Sequence, residues 1–158
     1  MIRVALSTRM GVFLLAWLMA FSAWAQTAPE PALLYKRLPG KTLAQAIQDV
    51  KTAISSQNYT FVREQPIDSR LVPQGWEAKS VHIIYFCNFD RMNRALAIDV
   101  RAAQFLPCRI TLIETAEGVE LNVVNPAWVS ASLGNPLLHV DCVKLKADYL
   151  AILEEAAL

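Results

Sequence analysis

The fold of this chain is decided by the stretch LPCRITLIETAEGVELNVV, residues 106–124. Two β-branched, apolar runs flank Glu117-Gly118, and a tight turn between two such runs is typical of a β-hairpin. The earlier run Val81–Cys87 is apolar throughout, which indicates a strand that is buried on both faces. The chain is therefore predicted to be built around a β-sheet.

Three further segments show helical periodicity. The first begins at Thr42, whose hydroxyl can form a capping box with Gln45, and its buried stripe is predicted to consist of Leu43, Ile47, Val50 and Ile54. The second covers residues 91–100, with Asp90 as its N-cap and Met92, Leu96 and Val100 as its stripe. The third runs from about residue 138 to 156, and its inner face is predicted to consist of Val143, Ala147, Leu150 and Leu153.

Short strands are also predicted at residues 33–37 and 59–64, which completes the order β-α-β-β-α-β-β-α. A helix between two strands favours a parallel crossover, whereas the hairpin adds an antiparallel pair. Residues 126–136 are predicted to form a loose segment after Asn125-Pro126. We therefore expect an α+β fold, with a mixed sheet of about five strands and helices chiefly on one face.

Residues 1–25 have the organisation of a secretory signal peptide. Arg3 and Arg9 lead into an apolar run over residues 10–21, and Ala23-Trp24-Ala25 is a small-x-small cleavage site. The run is shorter than the roughly 20 residues that a membrane-spanning helix needs. We expect cleavage between Ala25 and Gln26, a flexible tether over residues 26–32, and one periplasmic domain over residues 33–158 with no stable membrane insertion.

Composition excludes several classes of protein. Hydrophobic residues make up 54% of the 158 residues, and the formal net charge is +1. Loss of Arg3 and Arg9 with the signal peptide would change the charge to −1. A chain with so little net charge and so much apolar content is neither a disordered tail protein nor a strongly basic nucleic-acid binder.

Cysteines are the first candidates for chemistry. Cys87 and Cys108 could form a disulfide in an exported protein. If a helix crosses back between their strands, however, they lie about 17–20 Å apart, beyond the ~7 Å limit for bridging. Small buried thiols are the simpler interpretation. A reactive thiol is the alternative, since Arg109 follows Cys108, although adjacent strand residues point to opposite faces.

Histidines and arginines offer weaker signals. His139 precedes Cys142 by three residues, which would place both side chains on one helix face. His82 and His139 are the only histidines in the sequence, and no complete metal-ligand motif accompanies them, so we predict no metal and no cofactor. Arg91, Arg94 and Arg101 indicate either a solvated cationic face or an anion-binding patch.

The middle of the chain resembles the DUF302 family. The resemblance is carried by Tyr85-Phe-Cys-Asn-Phe-Asp-Arg-Met-Asn-Arg-Ala-Leu96, by Phe105-Leu-Pro-Cys-Arg-Ile-Thr-Leu-Ile-Glu114 and by Asn125-Pro126. Phe89 stands where the family usually has proline. The resemblance implies an α+β fold and often a homodimer, and it implies no established reaction or catalytic residue.

These observations lead to one main hypothesis and two alternatives. The main hypothesis is a periplasmic, non-enzymatic domain that binds a small ligand or a protein partner as a homodimer, with Cys87, Asn88, Cys108 and Arg109 as the candidate site. The first alternative is a thiol-dependent redox or sulfur-handling protein that uses Cys108 or Cys87. The second is a structural interaction module, which would show an exposed apolar patch and no enclosed pocket.

Overall fold

The computed structural model describes residues 29–158, so the predicted signal peptide over residues 1–25 lies outside the described residues. In the described part the elements follow in the order β1 (Leu33–Pro39), α1 (Leu43–Ser56), β2 (Thr60–Ile67), β3 (Ala78–Cys87), α2 (Phe89–Ile98), a 3-10 helix (Val100–Phe105), β4 (Cys108–Thr115), β5 (Gly118–Val124), α3 (Pro126–Leu133) and α4 (Pro136–Glu155). The α+β class and the five-stranded sheet are confirmed. None of the helices in residues 29–158 is long and apolar enough to cross a membrane.

The sheet has the strand order β1-β5-β4-β3-β2, and each pair of neighbours is antiparallel. The expectation of a mixed sheet with a parallel crossover is therefore wrong. The connection through α2 and the 3-10 helix returns to the end of the sheet where β3 stops, instead of crossing to the opposite end. β4 therefore starts beside the end of β3, with Cys108 opposite Phe86, and runs back antiparallel to it. The hairpin of β4 and β5 is confirmed, with Thr115 opposite Gly118 at its turn.

Helix α1 forms as its sequence predicts. The Thr42 hydroxyl accepts a hydrogen bond from the Gln45 backbone N–H, and the Gln45 side chain accepts one from the Thr42 N–H, which completes the capping box. Ile47, Val50 and Ile54 are buried on the face that lies against the sheet. The signal for the start of α1 therefore lies in residues that are close in the chain, and the buried stripe predicted after it is confirmed for Ile47, Val50 and Ile54.

The core lies between one face of the sheet and the helices α1 and α4. Alternate residues of β4 and β5 point into it, and Ile110, Leu112 and Leu121 are almost completely buried. The rings of Tyr59 and Tyr149 each meet the Phe86 ring edge-on, with centroids 5.5 Å apart. The intervening residues of the same strands, such as Arg109, are on the opposite, more exposed face.

Two helices occupy the region for which one helix and a loose segment were predicted. Asn125 and Asn135 each cap a helix through the side-chain oxygen, and the proline that follows each of them takes the first helical position. Gly134 adopts a left-handed conformation between the two helices. Each Asn-Pro pair is therefore a helix start, because proline needs no hydrogen-bond partner there and its φ suits the helix.

The buried faces of two helices also differ from the prediction. Of the four residues predicted on the inner face of α4, Leu153 is buried, whereas Val143, Ala147 and Leu150 are exposed. The other buried residues of this helix are Leu138, Tyr149 and Ile152. The periodicity was ambiguous because α4 carries apolar residues on both sides. Val100, which was expected on the stripe of α2, is 74% exposed, because α2 ends at Ile98.

Gly118 generates a test of the hairpin. Its φ is 141°, a backbone angle that residues with a side chain rarely adopt, and a Cβ placed there would overlap the backbone carbonyl oxygen of Leu38. Gly118→Ala should therefore lower the free energy of unfolding by more than the about 1–2 kcal/mol that a left-handed conformation alone costs. Urea denaturation of the variant measures this change.

The matched control is Gly75→Ala. Gly75 also has a positive φ, 88°, but nothing lies within 4 Å of a Cβ placed there. Equal losses of stability in the two variants would contradict the close approach of Gly118 to Leu38.

Candidate functional site

Cys87 and Cys108 lie at the same end of neighbouring strands. Cys108 begins β4 and pairs with Phe86, the residue before Cys87 at the end of β3. The expectation that they would lie a strand length apart is wrong, because that distance assumed a parallel crossover. Both thiols are nevertheless free, and so is that of Cys142.

The thiols of Cys87 and Cys108 are enclosed by protein. Cys87 is 2% exposed, and its Sγ is 3.7 Å from Sδ of Met92. Cys108 is 8% exposed and belongs to the main core. Burial raises the pKa of the Cys87 thiol, and it raises the pKa of the Cys108 thiol to about 11 despite a hydrogen bond from the Tyr149 hydroxyl. Both are therefore protonated at neutral pH, which makes them poor nucleophiles.

The side chain of Asn88 has a structural role at the start of α2. Its Oδ1 accepts a hydrogen bond of 3.1 Å from the Arg91 backbone N–H, and its Nδ2 donates one of 3.2 Å to the Asn58 carbonyl. Asn88 is thus the N-cap of α2, and the prediction that Asp90 has this position is wrong. Asp90 lies in the first turn instead, where its charge favours the helix dipole.

Arg109 points away from Cys108, as the alternation along a strand predicts. Cys108 is buried among the helices, whereas Arg109 is exposed and lies opposite Tyr85 in the neighbouring strand. Arg109 cannot therefore lower the pKa of the Cys108 thiol by direct contact. Of the four candidate residues, Cys108 and Arg109 contribute to one pocket, and Cys87 and Asn88 do not.

The three arginines for which the sequence suggested a solvated cationic face or an anion-binding patch are all paired with carboxylates. Arg91 contacts Asp148 at 2.8 Å and Arg94 contacts Asp141 at 2.9 Å, and both acids belong to α4. Arg101 pairs with Asp99, two residues before it in the chain, and this contact holds the pKa of the Asp99 carboxyl well below its usual range. The ion pairs of Arg91 and Arg94 hold α2 against α4, and between these helices the molecule has a pocket.

The pocket is an apolar recess of about 110 Å³. It lies where the start of β4 and the end of β5 meet α2, the 3-10 helix, α3 and α4. Most of its wall is aliphatic, with Val123, Val129, Leu138 and Leu145 among its residues, and Arg109 is the one charged residue in its lining. Such a wall favours an uncharged, apolar occupant, since a charge placed there would lose its hydration.

Two pocket residues were not identified as site residues from the sequence. Ser130 is completely buried in α3, and its Oγ lies 2.9 Å from Nδ1 of His139. Cys142 lies about one turn beyond His139 on α4, and it lines the same pocket as Ser130. The spacing of His139 and Cys142 indicated a shared helix face. Ser130 gave no signal, because its segment was predicted to be loose.

Comparison with known proteins gives a family and a fold. The family model described as "Domain of unknown function DUF302" matches residues 35–156. A crystal structure of an uncharacterized conserved DUF302 protein from Bacillus stearothermophilus is similar in fold, with a TM-score of 0.73 and 13% sequence identity. The match covers 80% of this chain and 99% of that one. No protein with a curated description matches the chain.

Asn88 generates a test of its structural role. Asn88→Ala should lower the free energy of unfolding by about 0.5–2 kcal/mol, because the first turn of α2 loses its capping acceptor. Asn88→Asp should retain most of the stability, because the carboxylate still accepts from the Arg91 N–H. Thermal denaturation compares these variants with Asn93→Ala, a change on the exposed face of the same helix. An unchanged stability in Asn88→Ala would contradict the capping role.

Proposed function

The chain belongs to the DUF302 family, whose function is unknown, and from this premise we propose that it is a non-enzymatic, exported protein that binds a small apolar ligand as a homodimer. The ligand site is the pocket between the end of the sheet and the helices α2, α3 and α4. The periplasmic location is proposed from the signal-peptide organisation of residues 1–25.

The pocket is the observation that carries this proposal. Apolar cavities of about 150 Å³ bind benzene, so an open recess of about 110 Å³ has room for one small ring or a short branched chain. Burial raises the pKa of the Cys108 thiol and of the Tyr149 hydroxyl, and both groups line the pocket. They are neutral at neutral pH, which supports an uncharged ligand.

The alternative function, thiol-dependent redox chemistry at Cys108 or Cys87, has less support. Attack on a disulfide needs a thiolate, and burial disfavours the thiolate at both positions. Access is also poor, because each of the two residues is less than one-tenth exposed. Packing within the core accounts for these two residues more simply.

The dimer is proposed to form through the outward face of α4. Val140, Val143, Ala147 and Leu150 recur there at spacings of three, four and three residues, which is the repeat of a coiled-coil seam. Val140 is 55% exposed, Val143 46% and Leu150 39%. The order of these residues is nearly the same from either end of the seam. In an antiparallel pair of α4 helices, the valine at one end of the seam would therefore contact the leucine of the second copy, and the same contact would recur at the other end. Such self-complementarity is what a two-fold interface requires.

Toluene binding, measured in the parent protein and in a variant whose pocket is filled by a larger side chain, tests the ligand proposal. Toluene titrated into the ¹⁵N-labelled protein should shift amide signals of α2, α3 and α4, with millimolar affinity. Ala95→Phe should abolish these shifts, because Ala95 lines the pocket and a phenyl ring would fill it. Ala97→Phe is the matched control, since Ala97 lies on the exposed side of the same helix. If Ala95→Phe and Ala97→Phe both bind toluene, or if both lose binding, the toluene site is not this pocket.

Native mass spectrometry tests the dimer and the export together. The protein recovered from the periplasm should be a dimer of chains that begin at Gln26, and Val143→Glu should make it a monomer by burying a charge in the seam. Val100→Glu is the control, because Val100 is 74% exposed and lies outside α4. A monomeric parent protein would refute the dimer, and a retained residue 1 would refute cleavage.

A further inference from the structure

Two arginines flank a tyrosine on the face of the sheet that is turned away from the core. Tyr85 lies between the buried residues Ile84 and Phe86 of β3, so its side chain is on the opposite face. The register places Arg63 of β2 directly opposite Tyr85 on one side and Arg109 of β4 directly opposite it on the other. These three side chains form a row across the sheet, the Arg63–Tyr85–Arg109 row.

Arg63 and Arg109 differ from the other arginines of residues 29–158 in their lack of an acidic partner. Both are exposed, and no aspartate or glutamate of the described chain forms an ion pair with either of them. The arginines that do form such a pair are Arg37, Arg70, Arg91, Arg94 and Arg101. Neighbouring guanidinium groups without a counter-charge repel each other, and an anion bound between them removes this repulsion.

The Tyr85 ring holds the Arg63 guanidinium in position. Cζ of Arg63 is 4.4 Å from the centroid of the ring. A guanidinium that lies over an aromatic face keeps the N–H groups at its edge free to donate hydrogen bonds. Opposite residues of neighbouring strands have Cβ atoms about 5 Å apart, so the Cβ atoms of Arg63 and Arg109 are about 10 Å apart. Both side chains are long enough to reach one anionic group placed beside Tyr85.

Gln65 gives a second and independent indication of a ligand. It lies two residues after Arg63 on the same face of β2, and it is 8% exposed. Its Oε1 has no hydrogen-bond partner in the part of the chain that the structure describes. A buried acceptor without a donor lowers stability, so its presence in a folded protein needs an explanation. A ligand hydroxyl would supply the donor, and the broad terminal torsion of glutamine lets the amide turn toward it.

We propose that the Arg63–Tyr85–Arg109 row binds the phosphate group of a hydroxylated phosphate monoester, and that Gln65 accepts a hydrogen bond from one of its hydroxyl groups. At neutral pH a phosphate monoester carries close to two negative charges and has three strong acceptor oxygens, which match two guanidinium groups. A carboxylate is satisfied by one arginine. Gln65 is about 7 Å from the row along the strand, a distance that a short polyol chain spans.

The proposed site differs from the apolar pocket in its ligand and in most of its residues. Arg109 lines the pocket as well, whereas Arg63, Tyr85 and Gln65 are not part of the pocket wall. The pocket is proposed to take an uncharged molecule, and the row binds an anion. A change at Arg63 therefore tests the phosphate site without altering the pocket.

Isothermal titration calorimetry with two phosphate monoesters tests the site. The parent protein should bind glycerol 3-phosphate, and it should bind methyl phosphate, which has no hydroxyl group, about fivefold more weakly. Arg63→Gln and Arg109→Gln should each weaken the binding of both esters about tenfold or more, because a charge-assisted hydrogen bond is lost. Gln65→Leu should leave the affinity for methyl phosphate unchanged and remove the preference for glycerol 3-phosphate.

Arg37→Gln is the matched control. Arg37 is exposed on the same face of the sheet, but it already pairs with Glu120, so its loss should not change the affinity for either ester. Thermal denaturation checks that each variant is folded. Gln65→Leu should be at least as stable as the parent protein, because the change removes a buried acceptor that lacks a donor. Arg63→Gln should retain the amide shifts caused by toluene.

Four results would overturn the proposal. They are no binding of glycerol 3-phosphate by the parent protein, equal losses of affinity in Arg63→Gln and Arg37→Gln, and no difference between the two esters in the parent protein. The fourth is binding to vesicles that contain phosphatidic acid, whose headgroup is also a phosphate monoester, without binding of the free ester. Failure of the phosphate site is distinct from failure of the pocket, because toluene binding is measured separately and does not depend on Arg63.

Discussion

The antiparallel pairing of β3 with β4 is the constraint on which the rest of the structure depends. It places the start of β4 beside the end of β3, so the connection through α2 and the 3-10 helix must turn at one end of the sheet. The helices α3 and α4 reach the same end from β5. The pocket is the space that remains where these four elements meet the strand ends, and its size follows from their packing rather than from any one sequence motif.

Charged contacts at the edge of this region hold the framing helices in place. Arg91 and Tyr59 both contact the Asp148 carboxylate, and Arg94 contacts Asp141, so α2 is attached to α4 on the side that faces solvent. In the middle of α4, between Asp141 and Asp148, Lys146 binds Glu30, whose carboxylate also accepts a hydrogen bond from Asn125. Exposed ion pairs contribute little stability singly, but several of them on one helix restrict how far it can move.

Local signals in the sequence were sufficient for several elements. The capping box at Thr42 and the stripe that follows it define α1, and Glu117-Gly118 between two β-branched runs defines the β4–β5 hairpin, because both depend only on neighbours in the chain. The alternation that separates Cys108 from Arg109 is equally local. The two Asn-Pro helix starts were also present in the sequence, but they were interpreted as strand and loop breakers, which the same residue types also favour.

The sequence by itself determined the family, the α+β class, the strands that carry Cys87 and Cys108 and the position of most elements. Only the tertiary structure decided the direction of β4, the buried face of α4 and the composition of the pocket. The physical reason is that strand direction depends on where a connection ends in space, and a helix that is apolar on both sides buries the face its neighbours cover. The contact between Ser130 and His139 depends on the tertiary structure for the same reason, since α3 and α4 meet only after the chain has folded.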